Sequence, residues 1–71
     1  MFALRYKKLG IKIAYFRKLR GLTQVELASK VGISVSHLSK IERGVAQGVP
    51  MSIYWTISDR LEVDFVELFK N

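Results

Sequence analysis

TQVELASKVGISVSHLSKIERG, Thr23 to Gly44, carries two short amphipathic periods separated by a glycine. Thr23 and Glu26 stand at the spacing of a capping box: the hydroxyl accepts from the third backbone N–H while the carboxylate reaches back. Leu27, Ala28 and Val31 then recur at helical spacing, and Gly32 ends the period at a turn that needs a residue without bulk. Ser34 is placed to cap the next helix, with Leu38 and Ile41 facing inward and Gly44 closing it. Ala28 is small where the two helices must cross. Anchored through Leu38 and Ile41, the second helix leaves Val35, Ser36, Ser39 and Lys40 free, the face that a recognition helix shows to base edges.

Outward from this segment the chain reads as helical throughout. A first helix is expected from about Leu4 to Leu19, with Phe2, Tyr6, Leu9, Ile13 and Phe16 on its core face and Gly21 just beyond its end. GVAQGVP is a loop. Pro50 introduces a fourth helix to Leu61 whose core face is Tyr54, Ile57 and Leu61. Asp64 and Glu67 read as a second capping box, opening a short fifth helix through Phe69. The expectation is one all-α domain over residues 1–71, with the second and third helices forming a helix-turn-helix at residues 23–43.

Composition narrows the function. The 71 residues hold no cysteine, so disulfides and thiolate metal sites are excluded. A chain this short has a modest core, and a second copy is the natural way to add to it, which points to a homodimer. No apolar run reaches the length of a membrane span, and the charged N-terminal stretch is unlike a secretion signal, so a cytoplasmic protein is expected. The formal charge is +6 and unevenly spread. Residues 1–43 carry about +8 and residues 44–71 about −2, a basic front for a polyanion and a back employed differently.

The spacing Gly10, Ile13, Arg17, Gly21-Leu22-Thr23-Gln24, Leu27-Ala28, Gly32-Ile33-Ser34, Leu38-Ser39 and Glu42-Arg43-Gly44 resembles the Cro/repressor-type helix-turn-helix proteins, the lambda-repressor-like regulators of phages and bacteria. Ile57 to Phe69 resembles the last two helices of the same family, so the likeness covers about residues 8–69. It implies a five-helix fold and sequence-specific binding of double-stranded DNA by a dimer on an inverted repeat, in a transcription regulator of repressor type. Thr23 and Gln24 match the start of the helix whose N-terminus meets a phosphate. Val35, Ser36 and Lys40 match base-reading positions, with Ser39 a further contact. Ser34, His37 and Arg43 match positions at the sugar-phosphate backbone. Arg17 and Glu42 match an ion pair that ties the first helix to the recognition helix. The loop after Arg43 lacks the lysines or arginines many relatives have, leaving backbone N–H groups or Gln47 there. Glu62 stands where glycine or asparagine often ends the fourth helix.

Other readings of the same residues are weaker. His37 stands alone, without ligand or acid partners at metal or catalytic spacing, so no metal, cofactor or enzyme activity is expected. The basic charges of the first helix scatter around its apolar stripe instead of opposing it, unlike a membrane-surface helix. Trp55, Phe65 and Phe69 exceed what so small a core absorbs and are expected at a dimer contact through helices 4 and 5, residues 51–69. Leu4, Ile11 and Tyr15 lie off the core face and are open to a second partner, such as a toxin or another regulator. An antitoxin with autoregulatory DNA binding and a controller of a restriction–modification system remain alternatives.

Overall fold

Caps and glycines divide the chain where the sequence punctuates it. The structure, a computed structural model, describes residues 2–70, with side chains from Leu4 onward. Its helices are α1 (Phe2–Leu19), α2 (Gln24–Val31), α3 (Val35–Arg43), α4 (Met51–Leu61) and α5 (Phe65–Phe69). The Thr23–Glu26 capping box forms in both directions, at 3.0 and 2.8 Å. Ser34 Oγ accepts from the His37 N–H at 2.9 Å. α2 ends in a left-handed turn at Gly32, φ 85°.

The core is built from one to three side chains of each helix. Leu9 and Ile13 of α1 meet Leu27 and Ala28 of α2, Leu38 and Ile41 of α3, Tyr54, Ile57 and Leu61 of α4, and Leu68 of α5. Each fully buried leucine or isoleucine contributes about 1.5–3 kcal/mol.

Several expectations need correction. Tyr6 is 46% exposed and does not join the core face. The side chain of Phe2, placed on that face by periodicity, lies outside the described residues. Phe16 packs against the core but is only half-buried. α1 turns its buried side through Leu9, Gly10, Ile13 and Arg17, so its inner face includes a glycine and an arginine that an apolar count passes over. The second capping box is absent. Asp64 Oδ1 accepts from the nearer Val66 N–H at 3.2 Å, and Glu67 pairs instead with Lys70 Nζ at 2.9 Å.

Three basic side chains close helix ends at a distance in sequence. Lys12 donates to the Glu67 carbonyl at 3.1 Å and to the Lys70 carbonyl, at the end of α5. Arg20 donates to the carbonyls of Leu61 and Glu62 at 2.7 and 3.1 Å, at the end of α4. Arg60 donates to the Lys30 carbonyl at 3.0 Å, at the end of α2. A helix C-terminus concentrates unpaired carbonyls and partial negative charge, and cations there satisfy both. Among the described residues, no helix is long and apolar enough to cross a membrane.

Candidate nucleic-acid interface

α3 is held in place by contacts that leave its outer face bare. An added Cβ at Gly10 would stand 2.3 Å from the Glu42 carbonyl oxygen and 2.5 Å from that of Ile41, so only glycine lets α1 approach α3 this closely. At the end of α3, Gly44 takes φ 75° and would place a Cβ 2.7 Å from Lys7 Cα. Positive φ and backbone contact both demand glycine there.

Beyond Gly10 along α1 lies a polar lock. Arg17 Nε donates to Glu42 Oε2 at 2.7 Å and Nη2 to Oε1 at 3.2 Å. Arg17 Nη1 also donates to the Leu22 carbonyl at 2.8 Å, bridging α3 to the turn before α2. Gln24 Nε2 adds a third bond to the carboxylate, meeting Oε1 at 2.9 Å. The paired side chains are only 10% and 6% exposed, so Glu42 is neutralised inside the fold. The planar guanidinium fork suits this two-pronged pairing. Arg17 is thereby occupied within the protein.

The free face of α3 follows from its period. Ser36, Ser39, Lys40 and Arg43 fall at i, i+3, i+4 and i+7, with Val35 beside them. Ser36, Lys40 and Arg43 are exposed, Val35 is 38% exposed, and Ser39 is half-buried. Arg43 lies along its own helix, with Nε directed at the Ser39 carbonyl at 3.4 Å. At the N-terminal side, Ser34 is exposed and His37 half-buried. Thr23 is exposed at the head of α2, and Gln24, half-buried, follows it. Its hydrogen bonds to Thr23, first from the backbone N–H and then from the hydroxyl, hold the Glu26 carboxyl below its usual range. No carboxylate stands among the free positions of α3.

The expected dimer residues gather elsewhere, on α4 and α5. Trp55 packs on Phe65 at 4.2 Å between ring centroids, and Phe65 on Phe69 at 4.8 Å. Trp55 and Phe69 are 59% and 45% exposed, whereas Phe65 is half-buried against the core. Two features of the interface escape a reading of the sequence. Gln24 bonds to Glu42, and the cations Lys12, Arg20 and Arg60 are spent on helix ends.

A family model described as helix-turn-helix matches residues 13–68. The chain belongs to the helix-turn-helix family. It is 41% identical over 61 residues to the HTH-type transcriptional regulator SlrR of Bacillus subtilis, covering 86% of this chain and 40% of SlrR. The chain thus spans well under two thirds of that curated relative. Among solved structures, the biofilm master regulator SinR in complex with DNA superposes with a TM-score of 0.80 at 32% identity. That match covers 87% of this chain and 98% of the SinR chain. The restriction–modification controller protein C.AhdI of Aeromonas hydrophila superposes with a TM-score of 0.84 at 28% identity, covering 90% and 96%. The fold is therefore the lambda-repressor-like DNA-binding domain of this family, and α2 and α3 are its helix-turn-helix.

Proposed function

We propose that this chain reads a specific DNA sequence in the cytoplasm and regulates transcription by occupying a promoter, without catalysis. The observation that carries the reading is the bare, carboxylate-free face of α3 on a helix fixed to α1 by Gly10 and the Arg17–Glu42 pair. Insertion of such a helix in the major groove brings Lys40 to guanine N7 and O6, Val35 to a thymine methyl, and Ser36 and Ser39 to either kind of edge. Thr23, Gln24, Ser34, His37 and Arg43 surround it at the sugar-phosphate backbone, aided by the positive N-terminus of α2. Support comes from the relatives, which are transcriptional regulators, and from SinR, solved with DNA.

Two copies joined through α4 and α5, with Trp55 and Phe69 at the contact and Phe65 beneath, would present two recognition helices to an inverted repeat. Their separation would be one turn of DNA, roughly 34 Å. The test is a titration of labelled DNA from upstream of the protein's own gene against scrambled DNA, at about 150 mM salt so that non-specific attraction is screened. A strong preference that disappears in Ser36→Ala/Lys40→Ala supports reading by α3. Equal, weak binding to both sequences removes autoregulation at that stretch. Sedimentation of Trp55→Lys tests the contact, which is wrong if the variant dimerises as the parent does.

A further inference from the structure

α1 is the longest helix of the molecule, and its outer side is not used by anything described above. Its sequence, FALRYKKLGIKIAYFRKL, holds six cations and no carboxylate. Leu4, Ile11, Tyr15 and Leu19 are exposed by 57%, 65%, 59% and 61%. With Lys8 they step 4, 8, 11, 15 and 19, a nearly heptad seam along four turns, about 22 Å at the rise of an α-helix. Arg5, Lys7 and Lys18 lie alongside and are exposed. Gly10 and Arg17 bind the opposite side of the helix to α3. The seam is therefore turned well away from the recognition helix and stays open while that helix is engaged.

We propose that this face of α1 docks an acidic amphipathic helix of a partner protein. Charge complementarity selects that occupant. An apolar strip rimmed by cations and lacking any anion matches a helix with apolar a and d positions flanked by glutamates, as in interhelical pairing across a coiled-coil seam. Lys8 lies within the strip, between Leu4 and Ile11, where a facing carboxylate satisfies it. Insertion into a lipid surface would instead carry its ammonium into the apolar boundary, and membrane-surface helices keep their charges on the other face. A second copy's α1 would set lysine against lysine. The contact goes beyond the DNA-reading role and engages a different side of the molecule.

The test uses the full chain and two synthetic helical peptides with the same leucine seam, one flanked by glutamates and one by lysines. Binding is followed by anisotropy of the labelled peptides and by amide shifts of the protein. The expected result is saturable binding of the glutamate peptide only, with shifts confined to residues 4–19. Ile11→Ala/Tyr15→Ala should weaken it by roughly tenfold or more, the loss typical of two central apolar contacts, with the fold and DNA affinity unchanged. Lys8→Glu should lose the glutamate peptide and gain the lysine one. Equal binding of both peptides, or of parent and double-alanine variant, overturns the proposal. So does variant-sensitive binding to phosphatidylglycerol vesicles in place of the peptide, which assigns the face to membrane. Self-association of the parent abolished by the double variant assigns it to a second copy. The peptide, vesicle and self-association readouts do not depend on whether the promoter DNA is recognised.

Discussion

The contact of α1 with α3 and the contact of α4 with α5 are built on opposite terms. At the first, backbone meets backbone: a Cβ on Gly10 or Gly44 would lie 2.3 or 2.7 Å from its neighbour. A buried guanidinium and carboxylate lock the two helices with four hydrogen bonds that include Leu22 and Gln24. At the second, three aromatic rings tilt against one another, Trp55 stays 59% exposed, and the intervening turn is made by Glu62 at φ 58°. The element that must be aimed is fixed by close approach and directional bonds, which have one geometry. The α4–α5 contact itself is apolar packing, which tolerates adjustment and leaves Trp55 and Phe69 exposed.

The difference is broken most severely at Glu42. Glu42→Ala strands Arg17 as a buried cation, and losing one member of such a pair costs about 3–5 kcal/mol. At roughly 0.05–0.15 kcal/mol per residue, that is much of the stability of a domain this small. A urea melt should show the variant largely unfolded near room temperature. A loss below about 1 kcal/mol, as for an exposed pair, would mean the lock is ornamental. Arg17→Met/Glu42→Leu should lose less than Glu42→Ala, since no charge is left alone.

Gly10→Ala comes next. One methyl group against carbonyl oxygens of α3 forces the helices apart, and overpacking of this kind costs about 1–3 kcal/mol. Because the displaced helix is α3, DNA affinity should fall more than the melt alone accounts for. Unchanged stability and affinity would show that α1 and α3 adjust freely.

How these regions appear in the sequence differs in the same way. The helix-turn-helix was legible because its signals are local: Thr23 with Glu26, Gly32, Ser34, and the apolar spacing of Leu27, Leu38 and Ile41. The free face of α3 followed from that spacing by subtraction. Tyr6 was misassigned because α1 buries a glycine and an arginine, and apolar periodicity cannot register a surface that packs through backbone and charge. The box at Asp64 failed because a five-residue helix offers Glu67 a partner in Lys70 as near as its own N-terminus. The reach of Lys12, Arg20 and Arg60 to helix ends, over 30 or more residues, depends on tertiary placement and leaves no local trace.

A third change sharpens the contrast from the soft side. Glu62 closes α4 in the left-handed region, which costs a residue with a Cβ about 1–2 kcal/mol and glycine nothing. Glu62→Gly should therefore stabilise the protein, by about 1 kcal/mol after glycine's greater chain entropy is deducted. The opposite sign from Gly10→Ala is the point, because here the backbone has room and only its torsion is unfavourable. A lower melting temperature would show that the Glu62 side chain has an unseen partner.

The smallest effect shows only in alkali. Tyr54 is 5% exposed in the α4–α5 region, with its ring edge-on to Phe69 at 6.0 Å. Burial, and then the nearby Tyr6, push its phenol above the usual value of 10.0. The folded state thus binds the proton more tightly than the unfolded chain does. This contribution is complete below about pH 10 and is lost as pH rises through the folded pKa. Tyr54→Phe keeps the ring pair and removes the ionising group, so its stability should fall less steeply above pH 10. Urea midpoints measured at neutral and alkaline pH decide it. If parent and variant decline in parallel, the soft end opens enough for the phenolate to reach water, and the contrast with the α1–α3 contact is larger than the packing alone indicates.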